Sequence, residues 1–270
     1  MADRGLAAST PRAFYDELAY TYDLIYADWN ASSRRQAAVL QRMLQAPPAS
    51  RQRRLLDCAC GIGTQLLGLA ALGEHIVGTD ISPTAVARAR QEARHQRLDV
   101  HLAAADMQAL PFADHSFDGL ICADNSLPHL TTQADLDRAL REMARVLRPG
   151  GDLLLSLRDY DLARRDRTTS TPPSVRQTAA GRVITFGLWH WHPDGEHYDL
   201  EHFQLLQHRD GRWDVRRRSV NYWALTQAQT DQALQAAGLH DIRWHQPPDS
   251  GFFQPVVTAR TSRPARSRPA

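Results

Sequence analysis

Glycines and carboxylates stand where predicted strands end, in an arrangement that could bind a nucleoside. An apolar run ending at Asp57 leads into Gly61-x-Gly63, a turn that lets the backbone approach a ligand closely. Asp80 ends the next apolar run, the position of a carboxylate that accepts hydrogen bonds from both ribose hydroxyls. Asp106 follows a third run, where it could accept a hydrogen bond from an adenine amino group.

The ligand predicted by this pattern is a single nucleoside, with Met107 packed on its base. Dinucleotide sites normally show Gly-x-Gly-x-x-Gly for the pyrophosphate, and Leu66 occupies the third glycine position here. Taken alone, the glycine turn fits a ligand site and an ordinary connection between a strand and a helix equally well. Asp80 and Asp106, at the two following strand ends, therefore decide in favour of a ligand.

Composition excludes several classes of function. All 32 basic residues are arginine and none is lysine, which rules out a lysine Schiff base and a phosphate-binding P-loop lysine. The formal net charge is +2, and the arginines between 260 and 268 stand in a tail without acidic residues. A broad basic surface for nucleic acid is therefore not expected, because such binding needs clustered positive charge.

The cysteines and the apolar runs indicate where the protein resides. Three cysteines are an odd count, and Cys58 and Cys122 fall at the ends of predicted buried strands, so reduced thiols are expected. No apolar run is long enough to span a membrane, and residues 1–12 lack the apolar part of a secretory signal. We expect a soluble, cytoplasmic protein without a membrane partner, acting as a monomer or homo-oligomer.

The elements that must position these residues follow from the apolar pattern. Between residues 54 and 157, short apolar runs alternate with segments of helical period, which is typical of a parallel sheet with crossover helices. The predicted strands are 54–58, 75–80, 100–104, 117–122 and 152–157. The predicted helices are 64–72, 83–94 and 133–147.

An insertion is predicted after residue 158. Residues 161–180 are polar, contain paired prolines and are predicted to form an irregular loop. Three strand-like runs at 182–191, 197–208 and 213–223 are separated by Pro-Asp-Gly and Arg-Asp-Gly turns typical of hairpins. The main sheet is predicted to resume with a helix and two strands, at 226–237, 241–245 and 252–260.

These elements predict one domain at 13–260. A flexible N-terminus at 1–12 and a disordered basic tail at 261–270 are expected to flank it. Within the domain, residues 13–50 are predicted to form cap helices, and residues 158–225 are predicted to form the inserted loop and an antiparallel β lid.

Several motifs together resemble the class I S-adenosylmethionine-dependent methyltransferases over nearly the whole chain. They are Asp57-x-x-x-Gly61-x-Gly63, Asp80, Ala105-Asp106-Met107, Leu110-Pro111-Phe112, Phe117-Asp118 and Leu147-Arg148-Pro149-Gly150-Gly151. The resemblance implies an α/β fold: a Rossmann-like seven-stranded sheet, its last strand antiparallel, with helices on both faces and the inserted β lid. It implies S-adenosyl-L-methionine as the cofactor and S-adenosyl-L-homocysteine as its product. The implied cofactor-binding residues are Tyr22, Trp29, Arg35, Ala59, Gly61, Gly63, Asp80, Ile81, Asp106, Met107 and Ala123.

Within that superfamily the chain is most similar to the glycine and sarcosine N-methyltransferases. The similar segments are residues 14–16, 22–29, 60–65, 124–129 and 158–161. This similarity implies methyl transfer to the amine of a small carboxylate-bearing molecule, a reaction helped chiefly by alignment. The implied catalytic residues are Tyr26, Asn125, Arg158 and Tyr160. The implied substrate-binding residues are Asn125, His129, Arg158 and Phe253.

Arg158 and Asn125 each have a functional and a structural interpretation. Arg158 follows a predicted strand at the ligand end of the sheet, where its guanidinium could clamp a substrate carboxylate with two parallel hydrogen bonds. It could instead form a surface salt bridge with Asp159 or Asp161. Asn125 could bind the amine or the cofactor carboxylate, or it could simply form a turn before Pro128.

The remaining candidates carry similar alternatives. Tyr26 and Trp29 could form an aromatic wall against the sulfonium or an ordinary core-facing stripe. Arg35, or its neighbour Arg34, could bind the cofactor carboxylate or belong to a solvated helix face. His129 could lie near the active site or close a turn.

Four histidines, His190, His192, His197 and His202, could suggest a metal. They lie in predicted hairpins, where Trp189 and Trp191 alternate with them. A sheet with one aromatic and one polar face explains this alternation, so no metal is predicted. Phe253 stands where relatives commonly carry tyrosine, and a substrate ammonium would lose one acceptor there.

The sequence leaves three functions to compare. The first is methylation of a glycine-like amine held by Arg158, and the second is N- or O-methylation of a heterocycle or another natural product. The third is modification of a macromolecule or mere cofactor binding. Enzymes that methylate nucleic-acid bases carry an Asn/Asp-Pro-Pro-aromatic motif, whereas residues 124–127 read Asp-Asn-Ser-Leu and offer no aromatic to stack a flipped base.

Overall fold

The computed structural model describes residues 8–44, 52–179 and 181–262. Its strands are β1 (Arg54–Asp57), β2 (His75–Asp80), β3 (His101–Ala104), β4 (Phe117–Cys122), β5 (Leu147–Ser156), β6 (Ser174–Thr178), β7 (Gly181–Trp191), β8 (His197–Gln207), β9 (Trp213–Trp223), β10 (Leu239–His245) and β11 (Val256–Thr261). Its α-helices are α1 (Pro11–Leu18), α2 (Trp29–Met43), α3 (Thr64–Ala71), α4 (Pro83–Gln96), α5 (Gln133–Val146), α6 (Tyr160–Asp166), α7 (Gln227–Ala236) and α8 (Pro247–Ser250). Short 3₁₀ helices cover Ala19–Ile25 and Leu127–His129.

Seven strands form the main sheet in the order β10-β11-β5-β4-β1-β2-β3. Strands β1 to β5 pair in parallel, whereas β11 runs antiparallel to both of its neighbours, β5 and β10. The central strands read as apolar runs because helices cover both faces, and a separate buried cluster lies on each face. The predicted fold class is therefore confirmed, including the antiparallel last strand.

The N-terminal segment packs on β9 and on helices α3 and α4. Helix α1 begins at Pro11 with Thr10 as its N-cap, and Ser9 forms a bridge with Val220. Regular structure therefore begins before residue 13, and residues 1–7 of the predicted flexible segment lie outside the described residues. Helix α2 crosses α3 at Gly68, where a Cβ atom would lie 2.7 Å from the backbone oxygen of Ser33, so the contact requires glycine.

The insertion forms a second, four-stranded antiparallel sheet in the order β6-β7-β8-β9. The prediction of an irregular loop at 161–180 was wrong in two places, since α6 and β6 lie there. Asp159 caps α6 by accepting the Leu162 amide, and β6 is a short edge strand paired only with β7. The edge strand has no apolar alternation to mark it, which is why the sequence pattern missed it.

Several boundaries also differ from the prediction. Strand β5 begins at Leu147 rather than Asp152, because the chain already pairs with β4 through the Phe117–Leu147 contact. Strand β11 begins at Val256, since the short helix α8 and a bend occupy the residues before it. Residues 263–270 of the predicted tail lie outside the described residues. Among the described helices, none is long and apolar enough to cross a membrane.

Candidate active site

A cavity of about 220 Å³ opens at the carboxyl ends of β1, β2 and β4, beneath the N-terminal segment. Ligands of open α/β sheets bind at this edge of the strands. Eight of the residues predicted from the sequence line the cavity. They are Tyr22, Ala59, Gly61, Asp80, Ile81, Asp106, Met107 and His129.

The end of β2 presents Asp80 in a fixed orientation. One carboxylate oxygen accepts the Gly61 amide at 2.8 Å, and the other accepts the Ser82 amide at 2.8 Å. Burial raises the pKa of Asp80 to about 6, although these two amides act in the opposite direction. Both oxygens keep lone pairs for further hydrogen bonds, so the carboxylate can accept two ribose hydroxyls.

The turn between β1 and α3 leaves room for a ligand next to Asp80. Gly61 has φ +52°, and a Cβ atom built on it would meet nothing within 4 Å. Asp57 lies buried beneath the turn, with Oδ1 accepting the Ala59 amide and Oδ2 left without a partner among the described residues. Burial raises the pKa of Asp57 to about 7. An open glycine and an orphaned carboxylate oxygen fit the methionine part of S-adenosylmethionine.

The opposite end of the cavity suits an adenine base. Asp106 accepts the Gln108 amide at 2.8 Å, which fixes its carboxylate at the cavity wall. Met107 and Ile81 supply apolar surface on the same wall. The donor set across the cavity would therefore suit the cofactor, with Asp80 able to bind the ribose and Asp106 able to bind the adenine amino group.

Asp124 is a site residue that the sequence interpretation missed. Its carboxylate accepts the hydroxyls of Tyr22 at 3.1 Å and Tyr26 at 2.8 Å, and it lines the cavity. Burial, followed by the charge of Asp124, raises the pKa of both tyrosines far above their usual range, so both remain neutral donors. Asp124 and Asn125 have φ angles of +56° and +65°, so they form a strained turn. This turn directs the Asp124 carboxylate into the cavity.

Arg158 lies in a box of aromatic side chains at the end of β5. Its guanidinium donates to the Tyr198 hydroxyl at 2.9 Å and lies 5.2 Å from the Trp189 ring and 5.4 Å from the Tyr222 ring. The alternative of a salt bridge with Asp159 or Asp161 was wrong. Asp159 caps α6, and Asp161 accepts the Gln227 amide. No carboxylate in the described part of the chain pairs with Arg158.

Asn125 and Tyr160 hold Arg158 in place. The Asn125 amide oxygen accepts the Arg158 backbone N–H at 3.0 Å, and its amide nitrogen donates to the Tyr160 hydroxyl at 2.9 Å. The Tyr160 hydroxyl in turn lies 2.9 Å from that of Tyr198. Both residues are fully buried, so the structure places these two predicted catalytic residues behind the cavity as positioning residues.

His129 connects the cavity to the arginine box. Its Nε2 lies 2.8 Å from the Tyr15 hydroxyl, and its ring contacts the Tyr222 ring at a tilt of 35°, with centroids 4.1 Å apart. Burial, followed by the charge of Arg158, lowers the pKa of His129 to about 3. The imidazole is therefore neutral at physiological pH and too weakly basic to collect a proton from an amine.

The remaining predicted residues do not line the main cavity. Trp29 is buried and donates to Thr64 at 2.9 Å. Gly63 makes the tight entry into α3, and the Ala123 carbonyl accepts the Ser126 hydroxyl. The other three, Tyr26, Arg35 and Phe253, line a second cavity that shares Asp124 with the first.

The histidine hairpins do not line this cavity, whereas Cys58 and Cys60 do. In the described parts of the chain, no group of three or more His, Cys, Asp or Glu residues could hold a metal ion. His190 and His192 lie on the face of the four-stranded sheet opposite to Trp189 and Trp191, as alternation along a strand requires. All three cysteines are free and buried.

The fold and the cavity define a Rossmann-like methyltransferase architecture. Comparison with known proteins supports this class. Residues 55–151 match the family described as a methyltransferase domain. A glycine/sarcosine N-methyltransferase from Parasynechococcus marenigrum is 36% identical over 135 residues, which are 50% of this chain and 47% of that protein. A demethylmenaquinone methyltransferase from Thermus thermophilus is 35% identical over 145 residues, 52% of this chain and 62% of that protein. The matched part of the chain thus covers less than two thirds of the length of either relative.

Solved structures match over a larger part of the chain. DesVI from Streptomyces venezuelae has a TM-score of 0.75 at 19% identity, covering 90% of this chain and 98% of that one. S-adenosylmethionine-bound CalS10, an amino pentose methyltransferase from Micromonospora echinaspora, has a TM-score of 0.68 at 19% identity, with 97% and 100% covered. The match to a methyltransferase domain and the shared fold support the resemblance to the class I S-adenosylmethionine-dependent methyltransferases, whose cofactor is S-adenosylmethionine.

Proposed function

We propose that this chain transfers a methyl group from S-adenosylmethionine to the amine of a small molecule that carries a carboxylate, such as glycine or a close analogue. The observation that carries the proposal is Arg158. It is a cation in an aromatic box at the ligand end of β5, and it has no acidic partner in the described part of the chain.

The surroundings of Arg158 favour a carboxylate over other ligands. A cation removed from bulk water is costly unless an anion or hydrogen-bond acceptors compensate it. The guanidinium has five N–H groups, and its hydrogen bonds with the hydroxyls of Tyr198 and Tyr160 leave a planar pair of donors available. A substrate carboxylate would satisfy that pair with two parallel hydrogen bonds.

Asp124 supplies an opposite pole for the same substrate. Its charge and that of Arg158 both act on the Tyr222 hydroxyl, so the two poles lie near one side chain. Asp124 has no cationic partner among the residues that the structure describes, so an ammonium group is the complement that it lacks. A zwitterionic amino acid carries both required charges.

We expect Asp124→Asn to raise KM for the amine and lower kcat/KM by about 10-fold or more, because a charge-assisted hydrogen bond becomes a neutral one. Asparagine tolerates the left-handed backbone and still accepts the tyrosine hydroxyls, so the fold is retained. Steady-state kinetics measure the effect. Asp161→Asn, on an exposed helix, is the matched control. Unchanged kinetics, or a loss confined to cofactor affinity, would contradict the substrate role.

Alignment accounts for the chemistry better than acid–base catalysis. S-adenosylmethionine would supply a methyl group on a positively charged sulfur: the amine lone pair forms the N–CH3 bond while the S–CH3 bond breaks and its electron pair stays on sulfur. The ammonium beside Asp124 first releases a proton to water, because only the neutral amine has that lone pair. The neutral His129 and the protonated tyrosines orient groups without taking a proton, and the amine proton leaves to water. The residues around the cavity therefore contribute position, which alone provides large rate effects.

We expect activity without added divalent metal. The proposed reaction needs no Lewis acid, and alignment rather than a metal ion supplies its rate enhancement. Assays with and without a chelator should give the same initial rate. Loss of activity in the chelator, restored by one particular metal, would overturn this mechanism.

A panel of amines with labelled cofactor tests the function as a whole. Glycine, N-methylglycine and longer amino acids should accept label, whereas matched amines without a carboxylate should not. Label transfer confined to amino sugars or heterocycles would contradict the proposal and favour a methyltransferase of specialised metabolism.

A further inference from the structure

A second cavity, of about 340 Å³, shares Asp124 with the main cavity. Its wall is largely apolar and aromatic, and the apolar side chains in it are Ile25, Tyr26, Phe252 and Phe253. Phe252 is buried, whereas Phe253 is 51% exposed, so an apolar ligand in the cavity would cover ring surface that water now contacts. Cavities of this size and lining are typical binding sites for small molecules.

The other polar side chains of the second cavity already have partners or face water. The Gln36 side-chain oxygen accepts the Gln65 amide at 2.8 Å, and its amide nitrogen donates to the Ser32 hydroxyl at 3.2 Å. Arg35 is exposed, so water solvates its guanidinium. Apart from Asp124, the cavity therefore requires no charged partner, and an apolar group suits it best.

Asp124 marks the point where the two cavities meet. Tyr22 lines the main cavity and Tyr26 lines the second, and both hydroxyls donate to the same carboxylate oxygen, Oδ2. The other oxygen, Oδ1, accepts no hydrogen bond from the residues that the structure describes, so it is available to a substrate ammonium. A side chain attached beside that ammonium can enter the second cavity.

Hydrogen bonds fix the walls of the second cavity relative to Asp124. The Ser156 hydroxyl accepts the Asp124 amide at 2.7 Å and donates to Gln254, the residue after Phe253, at 3.1 Å. On the opposite wall, the Arg176 guanidinium of β6 donates to the Tyr26 carbonyl at 2.8 Å. The cavity is thus formed before a ligand arrives, as most small-molecule sites are.

The second cavity is distinct from the space that fits the cofactor. Gly61, Asp80 and Asp106, which suit the methionine, ribose and adenine parts, all line the main cavity, and none of them lines the second. A cofactor bound on these groups leaves the second cavity for the other reactant. Glycine has no side chain to place there.

We propose that the substrate is an amino acid with an apolar side chain, and that this side chain occupies the second cavity. The inference rests on the proposed function, in which Asp124 binds the ammonium and Arg158 binds the carboxylate. Burying the side chain against Tyr26, Phe252 and Phe253 removes apolar surface from water, and this stabilisation is available only to substrates larger than glycine. The second cavity then determines which amino acid is preferred.

Methylation of glycine and of norleucine, compared with labelled cofactor, tests the proposal. Norleucine adds an unbranched butyl chain, and we expect its kcat/KM to exceed that of glycine by about 10- to 100-fold. Glycine used as well as norleucine, or better, would overturn the proposal and leave the proposed function standing. Transfer to no amino acid at all would reject the proposed function and this inference together.

Two substitutions at the second cavity should each reduce the preference for norleucine over glycine to about 3-fold or less. Ser32→Phe places a ring inside the cavity, and Phe253→Ala removes part of its wall. Because the preference is a ratio of two kcat/KM values, a general loss of activity cancels. Phe253 is exposed, so Phe253→Ala keeps the fold and decides alone if circular dichroism shows that Ser32→Phe is misfolded.

Asn30→Phe is the matched control, because Asn30 is exposed on α2 and does not line the second cavity. Its preference for norleucine should equal that of the unmodified protein. An unchanged preference in Phe253→Ala and in folded Ser32→Phe would overturn the proposal. Calorimetry with S-adenosylhomocysteine tests the alternative occupant, since weaker binding in those variants would then assign the second cavity to the cofactor.

Discussion

Replacement of Arg158 by lysine is expected to lower kcat/KM for an amino-acid substrate by roughly 10- to 1000-fold. Lysine keeps the positive charge but loses the planar pair of donors that matches a carboxylate. The substrate amine then no longer lies in line with the methyl group. Cofactor affinity should barely change, because Arg158 lies outside the wall that fits the cofactor. Steady-state kinetics and calorimetry measure the two quantities separately.

The matched control for this variant is Arg164→Lys. Arg164 lies on α6 and binds Glu196 and Gln229, away from the aromatic box. The Arg164→Lys variant should retain the rate of the unmodified protein. An amino acid and its methyl ester should differ sharply as substrates for the natural protein, and the difference should narrow in Arg158→Lys. Equal rates with acid and ester in the natural protein would reject the carboxylate clamp, while the methyltransferase fold would stand.

The main sheet could be predicted from the sequence because its strands are buried on both faces. Runs such as Leu55-Leu56 and Leu153-Leu154-Leu155 are then apolar throughout. The edge strand β6 gave no such signal, since half of its side chains face solvent and it pairs on one side only. Edge strands are therefore the elements that apolar periodicity misses.

The site could be predicted where a side chain binds backbone amides that belong to a recurring sequence pattern. Asp80 binds the amides of Gly61 and Ser82, and both the acid and the glycine turn belong to a recurring local pattern. Asp124 was missed because its partners, Tyr22 and Tyr26, come from the N-terminal segment and meet it only in the folded chain.

The same limit explains the altered interpretation of Asn125 and Tyr160. Asn125 follows Asp124 in the sequence, and Tyr160 lies two residues after Arg158. From sequence alone, a polar side chain near a strand end is equally suited to contact a ligand or to hold a neighbouring residue. Only the fold shows that the Asn125 amide is fully occupied by Arg158 and Tyr160. Position in the sequence identifies the region of the site, whereas hydrogen-bond partners assign the role.

Asp80→Ala is expected to weaken S-adenosylmethionine binding by about 2 kcal/mol or more, which is roughly 30-fold in Kd. Two ribose hydroxyls would lose their charged acceptor in a partly enclosed cavity, and the amides of Gly61 and Ser82 would lose theirs as well. Calorimetry with the folded variant measures the change. Asp137→Ala, on the exposed side of α5, is a control that should leave cofactor affinity unchanged.

The pH dependence of binding provides a second readout of the same carboxylate. Because burial raises the pKa of Asp80 to about 6, part of the population is protonated and neutral below that pH. The ionised form is the better acceptor, so cofactor affinity should fall as pH drops from about 7 to about 5. Asp80→Ala should lose the part of this dependence centred near pH 6, while Asp57, with a pKa of about 7, continues to titrate. An Asp80→Ala variant that is folded, binds the cofactor with unchanged affinity and keeps the full pH profile would remove Asp80 from the cofactor site.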